Sequence, residues 1–112
     1  IFPGLECPFI GDIFKEMGKV GFVPVDMENL RLHYSKTLEW WSMRFEENLD
    51  KIRSLSGSGD GIVYDEPFIR MWRFYLNACC LGLRYGTDRL YQTTFTHGLN
   101  NSYPRTRDHL YA

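Results

Sequence analysis

The side chains that could do chemistry are scattered along this chain. His33, His97 and His109 lie far apart, and none is spaced from a Ser or Cys as a base stands from its nucleophile. Asp and Glu fall mostly on the solvent side of one long helical pattern, where a carboxylate is ordinarily a solvated charge. Cys79 and Cys80 are adjacent, with no base beside them in sequence, and read as small core hydrophobes. With Cys7 they make an odd count, which gives no disulfide framework and no ligand spacing for zinc, and suits a reducing compartment. Gly57-x-Gly59-x-Gly61 has the look of a phosphate loop, but it follows a helix rather than a strand and is expected to be a linker. Tyr34 is the more telling residue. It leads an apolar stripe, so its hydroxyl sits at the top of a buried face and needs a partner. That partner is either a backbone carbonyl or a ligand at the mouth of an apolar cavity.

The elements that would position these groups follow from spacing. Ile10, Ile13, Phe14 and Met17 recur helically until Gly18 and Gly21 weaken and stop the pattern. Phe22–Leu30 reads as a strand, with Pro24 placing it near a sheet edge. From His33 to Leu55, Tyr34, Leu38, Trp41, Phe45, Leu49 and Ile52 form one stripe, and Glu47 and Lys51 are spaced to pair. Residues 54–64 read as a flexible connector. Asp65-Glu66-Pro67 opens another helix that runs to about Tyr85, with Gly86 as its stop. Its segment FIRMWRFYLNACC, starting at Phe68, has no clear polar face. Asp88–His97 is expected to be a strand, and residues 99–112 a polar tail. The order α-β-α-α-β leaves two strands, too few for a stable sheet alone, so another segment or a partner chain is expected to complete it.

The whole chain sets bounds on this reading. Its 112 residues suit one domain, 44% are hydrophobic and 16% aromatic. A net charge of −1 gives no general reason to bind nucleic acid. No apolar run approaches a membrane span, and the start lacks the basic region of a signal peptide. The first residue, Ile1, suggests processing or a piece of something longer.

In order and at sensible spacing, several motifs carry a family resemblance. They are Ile1-Phe2-Pro3-Gly4, Glu28-Asn29-Leu30, His33-Tyr34-x-x-Thr37-Leu38, Arg70-Met71-Trp72-Arg73, Tyr75-Leu76-Asn77-Ala78-Cys79 and Leu90-Tyr91-Gln92. Over residues 1–98 the chain resembles the C-terminal part of the cyclopropane fatty acid synthase family. These are methyltransferases that use S-adenosylmethionine on unsaturated lipid acyl chains.

The resemblance implies an α/β fold, the C-terminal portion of a Rossmann-like class I methyltransferase. Its last two strands would be antiparallel, and a helical insertion at about 33–85 would cover the lipid site. The cofactor-binding half would lie upstream, and the Asp88–His97 strand would pair with a strand preceding Ile1. Tyr34 would be the one residue of the family's bicarbonate site present here. Leu38, Trp41, Tyr75, Cys79 and Leu83 would line the acyl channel, with Leu83 departing from the bulkier aromatic common there. S-adenosylmethionine and bicarbonate are the family's cofactors, and neither is expected to be fully bound by these residues. The implied function is transfer of a one-carbon unit to the cis double bond of an unsaturated phospholipid, with the isolated chain inactive. The implied setting is cytoplasmic, with peripheral membrane contact, or an organelle such as the mitochondrion in a eukaryote. The alternative is a non-catalytic accessory subunit of a larger assembly that holds lipid. Arg70 and Arg73 are expected to pair with carboxylates of the long helix or to meet lipid phosphate.

Overall fold

A computed structural model describes residues 1–56, 59 and 61–111. In chain order these form α1 (Ile10–Lys19), β1 (Phe22–Asn29), α2 (Arg31–Glu47), α3 (Leu49–Ser54), α4 (Glu66–Tyr85) and β2 (Tyr91–His97), with a 3-10 turn at Asp108–Leu110. Gly57, Ser58 and Asp60, on which the linker reading partly rests, lie outside the described residues. The chain divides into two compact units. One holds Ile1–Pro3 and Asn29–Tyr91. The other holds Gly4–Glu28 and the described residues from Gln92 onward.

The first unit is an antiparallel helix pair. Ser35 meets Cys80 near the start of α2, and Ser42 meets Asn77 further along, so the contacts run in opposite chain order. The buried seam is Leu38 on α2 with Ile69, Leu76, Cys80 and Leu83 on α4. This corrects the expected stripe by about one position. Ser35, fully buried, belongs to the seam, while Trp41 remains 45% exposed. Small serines on the contact line let two helices approach closely. Ser35 stays satisfied there because its hydroxyl donates to the Cys80 carbonyl at 2.9 Å.

The long helix expected from His33 starts at Arg31 and is interrupted at Asn48. The Asn48 side chain donates to the Arg44 carbonyl at 2.8 Å, and its backbone N–H reaches only to Phe45, at 3.2 Å. A side chain that bonds locally offers the backbone an alternative to the regular ladder. Glu47 and Lys51 form no ion pair among the described residues.

α4 begins as its sequence directs, with the Asp65 carboxylate accepting from the Phe68 N–H at 3.0 Å. It ends at Gly86, as expected. Gly86 is extended, with φ −98° and ψ −155°, and a Cβ there would stand 2.8 Å from the Gly82 carbonyl oxygen. Close backbone approach, not positive φ, requires the glycine. From Pro67 to Thr87 the chain has three arginines and no carboxylate. Arg73 and Arg84 draw their counter-charges from α2, from Glu46 and Glu39.

β1 and β2, most of whose residues belong to the second unit, form a two-stranded sheet. The pairing is antiparallel: Gly98 N–H bonds Gly21 O at one end, and Leu30 N–H bonds Leu90 O at the other. Gly21, at φ 84°, makes the turn from α1 into β1. Phe14 of α1 and Phe22 of β1 both set their rings edge-on to Phe95 of β2. β2 starts at Tyr91, three residues later than expected. Arg89 donates to the carbonyls of Gly86 and Asp88, which therefore do not enter the ladder. The polar tail is tied down, since Arg107 makes two contacts with Asp26 of β1, at 2.7 and 3.0 Å.

Candidate functional site

The site candidates all lie in the helix pair. Leu38 and Leu83 sit in its seam, 0% and 5% exposed, and form the floor. Tyr34, Tyr75 and Cys79 pack against that core while remaining half-buried. Tyr34 and Trp41, one flank of α2, meet edge-on with ring centres 6.1 Å apart. Tyr75 and Cys79 lie one turn apart on α4 and both pack against the core beside Tyr34, close enough for Tyr34 to influence the Tyr75 hydroxyl. The result is an apolar, aromatic patch in which the Tyr34 hydroxyl makes no hydrogen bond among the described residues. The backbone carbonyl weighed as its partner is not there.

Protonation follows from this environment. Burial pushes the Tyr75 hydroxyl above its ordinary value, and the neighbouring Cys79 and Tyr34 add to the shift. Burial likewise pushes the Cys79 thiol up. Both groups are neutral near pH 7, so the patch carries no charge of its own. Cys80 is buried, with its Sγ 3.3 Å from the Ser35 carbonyl, and serves packing. His33 is exposed, and its carbonyl accepts from Thr37 at 3.2 Å, which gives that motif position a structural task. Asn29 accepts from the Arg31 N–H at 3.1 Å and starts α2.

Three residues escaped the sequence reading. Phe2 sets its ring edge-on to Tyr75 at 5.7 Å, and no periodicity could have placed it there. Ser35 has no signal beyond its small size on a helical seam. Arg31 did leave one: a cation in the first turn opposes the helix's own dipole, so it must serve something else. It reaches α4, donating to the carbonyls of Leu83 and Arg84 at 2.9 and 3.2 Å, and caps that helix's negative end.

Among the described residues no cluster of His, Cys, Asp and Glu could hold a metal, and no helix is long and apolar enough to cross a membrane.

The family model described as mycolic acid cyclopropane synthetase matches residues 1–93. The chain belongs to that family. It is 33% identical to a probable fatty acid methyltransferase of Pseudomonas putida over 99% of this chain and 27% of that protein. It is 37% identical to a tuberculostearic acid methyltransferase of Mycobacterium tuberculosis, over 84% of this chain and 21% of that one. A cyclopropane-fatty-acyl-phospholipid synthase of Escherichia coli is 32% identical over 90% of this chain and 24% of its own length. The chain therefore spans about a quarter of the length of these relatives. Cyclopropane synthetases of this family are class I methyltransferases that modify lipids with S-adenosylmethionine as methyl donor.

The described residues do not fit a cradle for that donor. β1 passes through Leu30 directly into α2, and β2 ends at His97 with no α-helix after it among the described residues, so neither strand runs through a glycine loop into a helix. Tyr34 does fit contact with a small oxyanion such as bicarbonate. Its hydroxyl is a donor without a hydrogen-bond partner among the described residues, beside an apolar wall.

Proposed function

We propose that the helix pair is the acyl wall of a lipid methyltransferase, and that Tyr34 holds bicarbonate at the reacting end of an unsaturated phospholipid chain. In this reading the rest of the Rossmann-like sheet, with the donor site, comes from polypeptide outside these residues, and β1 and β2 are its last two strands. The bound donor supplies the one-carbon unit. This chain's own residues bind the acyl chain, keep water from the double bond and position the base. Leu38 and Leu83 give the floor, and Trp41, Tyr75 and Cys79 the walls. Bicarbonate held by the Tyr34 hydroxyl would accept the proton lost from the substrate. An uncharged aromatic patch suits a cationic centre on the lipid, since ring faces attract cations and a dry site excludes competing water.

The observation that carries the reading is the Tyr34 hydroxyl, unpartnered within the described chain and set among Trp41, Tyr75 and the buried leucines. The test is Tyr34→Phe in the full-length protein, assayed for methyl transfer from S-adenosylmethionine to unsaturated phospholipid. The expected loss in kcat is about 100-fold, the usual scale for losing a group engaged in acid–base chemistry. The unfolding temperature should be unchanged. Full activity in Tyr34→Phe would overturn the role of Tyr34. Wild-type protein that binds lipid but transfers nothing would replace the reading with that of a non-catalytic lipid-holding subunit.

A further inference from the structure

α4 divides its circumference into four strips. Ile69, Leu76, Cys80 and Leu83 face the seam with α2. Arg70, Arg73, Asn77 and Arg84 form a polar edge, and Met71, Phe74, Leu81 and Tyr85 an exposed outer face. The fourth strip is an aromatic lane that the acyl reading has used only at its end. Tyr64 meets Phe68 with ring centres 5.0 Å apart, Phe68 meets Trp72 at 6.1 Å, and Trp72 meets Tyr75 at 5.6 Å. All four are half-buried. The seam beside them is already filled, so the lane is not the surface that α4 uses to pack on α2.

The lane begins at Tyr75, on the side of Tyr34, and leads away from it. Phe68 lies seven residues before Tyr75, which is about 10 Å of helical rise. Each ring leans edge-on or tilted against the next. The surface is apolar and continuous with the wall already assigned to the acyl chain.

We propose that Trp72 and Phe68 are specificity-determining residues that grade substrates by the length of acyl chain lying beyond the double bond. The inference rests on the acyl-site reading above. A chain whose double bond sits at Tyr34 must send one arm along the wall past Tyr75, and Trp72 and Phe68 are the next surfaces that arm meets. An arm long enough to cover them gains apolar contact, and a shorter arm leaves the rings bare.

The test uses the full-length protein and detergent-dispersed phosphatidylglycerols, each with one cis double bond, placed at different distances from the chain ends. The wild type should prefer one placement. In Trp72→Ala that preference, as a ratio of kcat/KM values, should collapse about tenfold, the scale on which apolar pockets discriminate methylenes. The change should fall in KM for the long-armed lipid, with KM for the short-armed lipid unmoved. Trp72→Phe should retain most of the preference. A role in packing alone would lower activity on all lipids equally, so an unchanged ratio in active Trp72→Ala overturns the proposal. If Trp72→Ala does not fold, Phe68→Leu and Trp72→Phe carry the test: a partial collapse of the ratio supports the lane, and an unchanged ratio in both overturns it. Absence of transfer by the wild type to every lipid overturns the acyl-site reading, and the lane with it.

Discussion

Leu38 shows how much one side chain can matter to the helix pair. It has no exposed surface and sits where α2 faces Leu76, Cys80 and Leu83. Leu38→Ala should cost about 2–5 kcal/mol, the range for a large-to-small change in a filled core, read as a drop in the urea midpoint at constant slope. A loss below about 0.5 kcal/mol, the scale of a surface change, would mean the seam is not packed as described. The cysteines give a second residue-scale prediction. Cys7 is exposed, Cys79 is half-buried with its thiol pushed up, and Cys80 is buried. An aromatic disulfide reagent at pH 7.5 should label Cys7 at once and Cys79 slowly, while Cys80 waits for unfolding. Prompt labelling of Cys80 in the folded protein would contradict its place in the core. At this scale the sequence told packing from chemistry well for the Cys pair, whose lack of a neighbouring base is visible in the order of residues. It did not show that Ser35 rather than Trp41 belongs to the seam, because a lone serine on a helix gives no sign of burial.

At the scale of elements, α2 and α4 are joined by apolar contact and by charge. Arg73 bonds Glu46 through two nitrogens, one contact being 2.7 Å, and this holds the Glu46 carboxyl below its ordinary value. A lowered value means the pair stabilises the fold fully above the ordinary carboxylate range and loses that contribution as pH falls through the folded value. The unfolding midpoint of the wild type should therefore exceed that of Glu46→Gln at pH 7, and the two should converge in acid. The gap should also shrink in high salt, because both side chains are partly exposed. A gap that widens in acid would contradict the pairing. The signals in the sequence were uneven for these elements. The start of α4 was legible because Asp65, Glu66 and Pro67 each have one physical reason to be there. The break at Asn48 and the late start of β2 were not. Both depend on side chains, Asn48 and Arg89, that satisfy backbone carbonyls locally, and composition does not reveal which carbonyl a side chain will take.

At the scale of the whole molecule, the second unit holds its own terminus. Arg107 and Asp26 are 81 positions apart, and the Asp26 side chain is only 14% exposed. Arg107→Ala should free the segment after Gly98, so limited trypsin digestion should cut at Arg105 several-fold faster, as followed by mass spectrometry. An unchanged rate would show that the tail is held by other contacts. Nothing in the sequence pointed to this clasp, because a tail without periodicity gives no register for a contact with β1. The sheet was legible only in outline: its two strands and their neighbourhood follow from alternation and from the family resemblance, while the pairing at Gly21 with Gly98 needed the fold.

The absence of carboxylates from Pro67 to Thr87 has a consequence for what α4 can associate with. Over that stretch a second copy of this helix would bring arginine against arginine with no carboxylate to neutralise either, and the helix's one acid, Glu66 at its start, is already paired with Arg53. α2, through Glu39 and Glu46, answers both charges in one antiparallel register. Sliding the helices by a turn would separate both pairs at once. A helix so apolar would otherwise be prone to stick to its like during synthesis, and its charge pattern directs it instead to the one neighbour made earlier in the same chain.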